Sequence, residues 1–353
     1  MCSTPSRYFA GFNSPDGFRS LLPLKQGAER TVLLMGGPAS GKSTLLRAVM
    51  DAALARDWEV VAWVSPHAPD SIEAVQIPGR DVYIRVAGAP YGAIPDRWGG
   101  VERVISLDTF LDGDALAGRQ DFLFDSAAEE AAQQQRAERF LASAATLLGD
   151  NARVAATALD SDKLIQFTER LAERELAGAA AVSSEGAEDV MLSAVTPDGI
   201  RVLYDTLHAL CARVYVVEDD FGVVAPQMLE VLRRYAVDSG VAYVACMSPL
   251  SAAVEHLLFP SISVAFTTAN RCMAADFPAF RRIHATRFMD EELLRNSRQL
   301  MSFGRRAAFE LLQEASGALA LSRAAHERVI PIYAAAMDWG GVDAVVAQIL
   351  AGL

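Results

Sequence analysis

The chain has 353 residues, 52% hydrophobic and 22% charged, with a net charge of −12, which is length enough for roughly two or three domains with ordinary cores. The acidic balance excludes the basic stripe of a nucleic-acid or anionic-membrane surface, and no apolar run reaches the length of a membrane span. Cys2, Cys211, Cys246 and Cys272 lack paired metal spacing and read as reduced thiols, and Met1-Cys2-Ser3-Thr4-Pro5-Ser6-Arg7 lacks the apolar core of a signal peptide, so a cytoplasmic location is expected.

In chain order, Tyr8 to Leu22 contains the turn Pro15-Asp16-Gly17. Thr31-Val32-Leu33-Leu34-Met35 is short and apolar enough for a buried strand, and Leu45 to Leu54 repeats apolar residues at helical spacing. Between them stands Gly36-Gly37-Pro38-Ala39-Ser40-Gly41-Lys42-Ser43-Thr44, which fits G-x-x-x-x-G-K-[ST], the phosphate-binding P-loop. Glycines allow backbone turns that a side chain would block. The loop N–H groups, with the positive end of the following helix, then cradle an anion. Lys42 is placed to reach the β- and γ-phosphates and to act in catalysis, and the Ser43 hydroxyl is placed to ligate Mg²⁺. No N-K-x-D guanine signal follows, which favours ATP over GTP.

Two acids are candidates for the metal or its water. Asp70 follows the apolar run Val60 to Ser65, although with Glu73 it also fits an N-cap and capping box for a helix starting near Ser71. Asp108 ends Val104-Ile105-Ser106-Leu107 in the manner of a Walker-B aspartate, or as a turn residue. Arg80, Arg85 and Arg97, with Arg271 far downstream, are either within reach of phosphates or solvated surface residues. His67 either touches substrate or lies in a surface loop; His208, His256 and His284 form no cluster with it, and His326 reads as a helix–helix contact.

The pattern then recurs. Pro197-Asp198-Gly199 repeats the first turn, Val214 to Val217 the first strand, and Met228-Leu229 the helix pair Leu45-Leu46. Trp58 to Pro66 is answered by Val241 to Pro249, Ile72-Glu73 by Val254-Glu255, Ile77-Pro78 by Phe259-Pro260, and Leu159-Asp160 by Met337-Asp338. Long alanine-rich helices are expected over roughly 125–148 and 291–328, with stripes such as Leu141, Ala144, Leu312 and Leu319 that suit close packing or a homo-oligomer surface. The expected fold is α/β, a tandem duplication of P-loop NTPase-like α/β domains each followed by a helical hairpin. The divisions are 1–118, 119–178, 190–290 and 291–353, joined by the small and polar stretch from Gly178 to Asp189. In the second copy Asp219-Asp220-Phe221-Gly222-Val223-Val224-Ala225-Pro226 replaces the loop, with Ala225 at the lysine position and Pro226 at the serine position. Two carboxylates where phosphates would lie repel a nucleotide, so this copy reads as a scaffold, with regulation or a residue supplied in trans as the alternative.

With the loop, the chain resembles a firmicute-type family of bacterial ATP-binding proteins with duplicated P-loop domains. The residues that carry the resemblance are Tyr8-Phe9-Ala10-Gly11, Gly17-Phe18, Asp70-Ser71-Ile72-Glu73, Ile77-Pro78, Ala89-Pro90, Thr196-Pro197-Asp198-Gly199, Tyr333 and Met337-Asp338-Trp339. The resemblance implies working loops in both halves and an aspartate at the strand end before Ala-Pro, with a histidine after the proline; here the second loop is lost, Val86 takes the aspartate place and Tyr91 the histidine place. The expected function is therefore Mg²⁺-ATP binding with ATP hydrolysis or phosphoryl transfer at the first domain. A small-molecule or nucleotide kinase and a non-catalytic nucleotide sensor or assembly protein are the alternatives.

Overall fold

A computed structural model describes residues 4–14, 16–23, 30–92, 102–179, 187–251 and 253–353. Cys2, Pro15 and Arg97 lie outside them, as does most of the expected linker. The first half runs β1 (Ser6–Phe9), β2 (Gly11–Ser14), β3 (Gly17–Ser20), β4 (Arg30–Met35), α1 (Lys42–Leu54), β5 (Val61–Val64), β6 (Ile72–Ile77), β7 (Val82–Val86), β8 (Glu102–Ser106), α2 (Gln120–Ala156) and α3 (Ser161–Leu176). The second runs β9 (Ala187–Val190), β10 (Ser193–Thr196), β11 (Gly199–Val202), α4 (Tyr204–Leu210), β12 (Arg213–Glu218), α5 (Val224–Asp238), β13 (Val244–Met247), β14 (Val254–Phe259), β15 (Val264–Ala269), β16 (Arg281–His284), α6 (Glu291–Ala335) and α7 (Trp339–Ala351).

The chain is a mixed α/β structure. β4 lies between β7 and β8, parallel to both, in the order β1-β5-β6-β7-β4-β8, while β6 runs antiparallel to its neighbours. The second sheet has the order β9-β13-β14-β15-β12-β16, strand for strand the same. Arg30 faces Val82 where Arg213 faces Val264, so the residues after β4 and after β12 stand at matching places. The small hairpins match too: Ser14 Oγ donates to Gly17 O at 2.6 Å, and Thr196 Oγ1 to Gly199 O at 2.8 Å.

The helices are exchanged between the halves. α2 and α6 pair antiparallel, with Asn151 Nδ2 donating to Met301 O at one end and His326 meeting Glu130 towards the other. Small residues allow the approach: Ala137, Ala144, Ala308 and Ala315 pack with Leu141, Leu312 and Leu319, as alanine-rich faces do when two backbones come close. The alanine stripe is thus buried within one chain. α3 then packs on α5, and α7 on α1. The exchange is pinned by matching crossings, with Leu111 bridging Met337 and Leu159 bridging Met289. Asp160 caps α3 by accepting Lys163 N, and Asp338 caps α7 by accepting Gly340 N and Gly341 N, satisfying amides that a helix start leaves open. One apolar cluster joins Leu34, Trp63 and Ile84 of the first sheet to Val216 and Cys246 of the second and to Leu207 of α4.

Both long helices exceed their expected bounds. α2 has 37 residues and α6 has 45, running through Pro331. A mid-helix glycine such as Gly149 lowers intrinsic preference by about 1 kcal/mol, which burial along the partner helix outweighs.

Candidate functional site

β4 delivers the chain to the loop 36–44, at the end of the sheet where Leu34 pairs with Val86. A Cβ on Gly36 would fall 2.5 Å from Ser40 Oγ, so that position takes no side chain. Gly41 has φ 91° as it caps α1, and no side chain caps that helix. The first amides of α1 and its positive end therefore face the loop without an internal anion. Lys42 Nζ folds back to donate to Gly36 O at 2.6 Å, Gly37 O at 2.7 Å and Ser40 Oγ at 3.1 Å. Ser43 Oγ accepts from Ile72 N at 3.0 Å, tying β6 to the helix start. Pro38 and Ala39 form the turn, Ala39 with φ 53°, and Thr44 lies in the first turn of α1.

Of the two candidate acids, one reaches the loop. Asp108, in a short 3-10 turn after β8, accepts Gly37 N through Oδ1 at 2.7 Å. Asp70 is exposed in the turn before β6, and its main-chain carbonyl accepts from Arg47. The helix expected from Ser71 is instead strand β6, because Ile72, Ala74, Val75 and Ile77 bury themselves while pairing with β5 and β7.

That correction brings in a residue the sequence reading assigned to a cap. Glu73 sits on β6 beside Ser71 Oγ, at 3.4 Å. Burial raises its pKa, and the charge of Lys42 opposes the shift. Burial lowers the Lys42 pKa in turn, against the attraction of Glu73 and Asp108. The recurrence of Glu73 as Glu255, in strands otherwise suited to burial, was the available signal.

The helix pair reaches the same place. His326 of α6 meets Glu130 of α2 at 3.2 Å, and that bond raises its pKa while the charge of Lys42 lowers it. His67 bonds Asn13 Oδ1 at 3.1 Å and tilts against Phe18; burial pushes it down to about 4, with Glu130 opposing. Asp108 thus touches the loop directly, while the charges of Lys42, Glu73, His67, Glu130 and His326 influence one another. His208 packs on Phe277, buried His256 bonds Thr267, and His284 pairs with Glu218, all in the second half.

The arginines serve elsewhere. Arg85 is 2% exposed and its guanidinium donates to the carbonyls of Leu22, Pro23, Val86, Tyr91 and Gly92, so it fastens two chain segments. Arg80 stacks on Trp58 before β7, at the end of the sheet away from the loop. Arg271 pairs with Asp220 in the second half.

The second loop is filled by its own chain. Asp219 is buried, and its carboxylate accepts four amides: Phe221 N at 2.9 Å, Gly222 N at 3.0 Å, Val224 N at 2.8 Å and Ala225 N at 2.9 Å. Burial raises its pKa and these donors counter the shift. Of the two carboxylates expected at the phosphate position, Asp220 instead turns towards Arg271. A cavity of about 550 Å³ adjoins, lined in part by Leu148, Phe221, Glu255 and Arg305.

No family model, curated protein or solved structure matches this chain. Among the described residues, no group of three or more His, Cys, Asp and Glu could hold a metal, and no helix is long and apolar enough to cross a membrane.

Proposed function

We propose that the chain is a tandem duplication of a P-loop unit in which the first half binds Mg²⁺-ATP and transfers or hydrolyses its terminal phosphate. The observation that carries this reading is the loop itself: a strand, a left-handed Gly41 and an uncapped α1, with Lys42 held across the turn. The main-chain amides of residues 39 to 44 would hold the phosphates. Magnesium suits the donor set, since it takes few protein ligands and several phosphate and water oxygens. The Ser43 hydroxyl, with one acceptor position used by Ile72 N, retains a lone pair for it. Bound magnesium would neutralise charge developing on the phosphates. Glu73 replaces the strand-end acid absent at Val86, as a carboxylate whose raised pKa suits it to accept a proton from an attacking hydroxyl or water. Asp108 orders the loop through Gly37. The matching strand orders and crossings support the duplication.

A second reading, nucleotide sensing without turnover, is favoured by one observation: valine, not an acid, stands at the strand end at Val86. Titration with ATP, GTP and their Mg²⁺ complexes, followed by single turnover with labelled ATP, separates the readings. Tight binding with release of phosphate, or with a labelled product from cell extract, is expected for the enzyme; tight binding alone identifies the sensor. Lys42→Ala should abolish tight binding. Ala225→Lys should restore nothing in the second half, because Asp219 already holds the amides there. Equal binding by Lys42→Ala and the parent would overturn the site.

A further inference from the structure

We propose that Trp339 forms a purine-binding subsite for the nucleotide held by the first loop; this inference rests on the P-loop reading above. Trp339 begins α7, so the second half supplies it to a loop in the first. A Cβ built on Gly41 would lie 3.4 Å from Trp339 Cζ3 and 3.2 Å from Val342 Cγ1, which places the indole edge against the last glycine of the loop. The indole is held in position: Nε1 donates to Ala334 O at 3.0 Å, and Asp338 caps the helix it stands on. Yet the residue is 42% exposed, unusual for a fixed tryptophan on an apolar helix.

The direction of the phosphate chain makes that place meaningful. On the P-loop reading Lys42 would meet the β- and γ-phosphates, which puts the α-phosphate towards the start of α1, where the sugar and base would leave. An aromatic face at that exit offers a base a flat apolar surface, and stacking favours the larger purine rings over pyrimidines. The two halves differ at this position in the corresponding sense. α3 covers the second helix as α7 covers the first, and each follows a capping aspartate. After Asp338 comes Trp339; after Asp160 comes Ser161. The tryptophan accompanies the loop with a lysine, and the serine accompanies the loop closed by Asp219.

The test compares ATP, GTP, CTP and UTP with inorganic tripolyphosphate, all with Mg²⁺, on the full chain and on Trp339→Leu and Trp339→Phe. Leucine preserves apolar packing on Gly41 but removes the aromatic face. The parent should bind ATP and GTP more tightly than CTP and UTP, with quenching of tryptophan fluorescence. Trp339→Leu should lose about tenfold or more in purine affinity, lose the purine preference and bind tripolyphosphate as the parent does; Trp339→Phe should stay closer to the parent in affinity while the quench disappears. Unchanged ATP affinity and purine preference in Trp339→Leu, with tripolyphosphate binding intact, would overturn the subsite and leave the loop reading standing. If the parent binds neither ATP nor tripolyphosphate, the loop reading fails and the subsite with it.

Discussion

Glu73 and His67 illustrate how burial sets protonation around the loop. Glu73 is a carboxylate raised by desolvation next to a lysine lowered by the same cause. If it accepts the proton in the reaction, Glu73→Gln should leave Mg²⁺-ATP affinity within a few-fold and reduce single-turnover phosphate release by about 100-fold or more. His67 gives a stability prediction. Its folded pKa of about 4 lies below the unfolded value of about 6.5. Between those pH values the unfolded chain binds more protons, so stability rises with pH from about 4 to about 6.5 and is lost as pH falls through that window. The contribution is at most about 3 kcal/mol, since the ring is partly exposed. Urea midpoints of the parent and His67→Gln should converge as pH drops through this window.

The elements differ in how far they could be read without coordinates. The strand, turn and helix around the glycine loop were legible because they are contiguous in sequence, with Gly36 close against Ser40 and Gly41 in a left-handed conformation at the helix start. β6 was not, because Asp70 and Glu73 have capping-box spacing while the pairing of Ile72 to Ile77 with two strands is a long-range fact. The acidic character of the second loop was visible, but not that Asp219 turns inward while Asp220 turns out. The alanine stripes announced close packing without naming the partner. The helices come close where Gly304 of α6 meets Asn151 of α2; a Cβ there would lie 2.5 Å from Asn151 Oδ1. Gly304→Leu should force the helices apart and lower stability by about 1–3 kcal/mol, read as a fall in melting temperature.

Across the molecule, exchange of α3 and α7 means that neither half closes its own core. α5 lacks a cover without α3, and α1 without α7, while α2 and α6 need each other along most of their length. Fragments 1–180 and 187–353 expressed alone should show no cooperative melting, whereas co-expression should recover a complex that melts in one transition. Either fragment melting cooperatively alone would contradict the interdependence. The same wiring has a consequence for how such a molecule can diverge. In a dimer of identical chains every substitution arrives twice, so a change that closes one loop closes both. On the proposed duplication the partners are joined head to tail, so dilution cannot part them, and the two loops are free to differ, with alanine at 225 and lysine at 42.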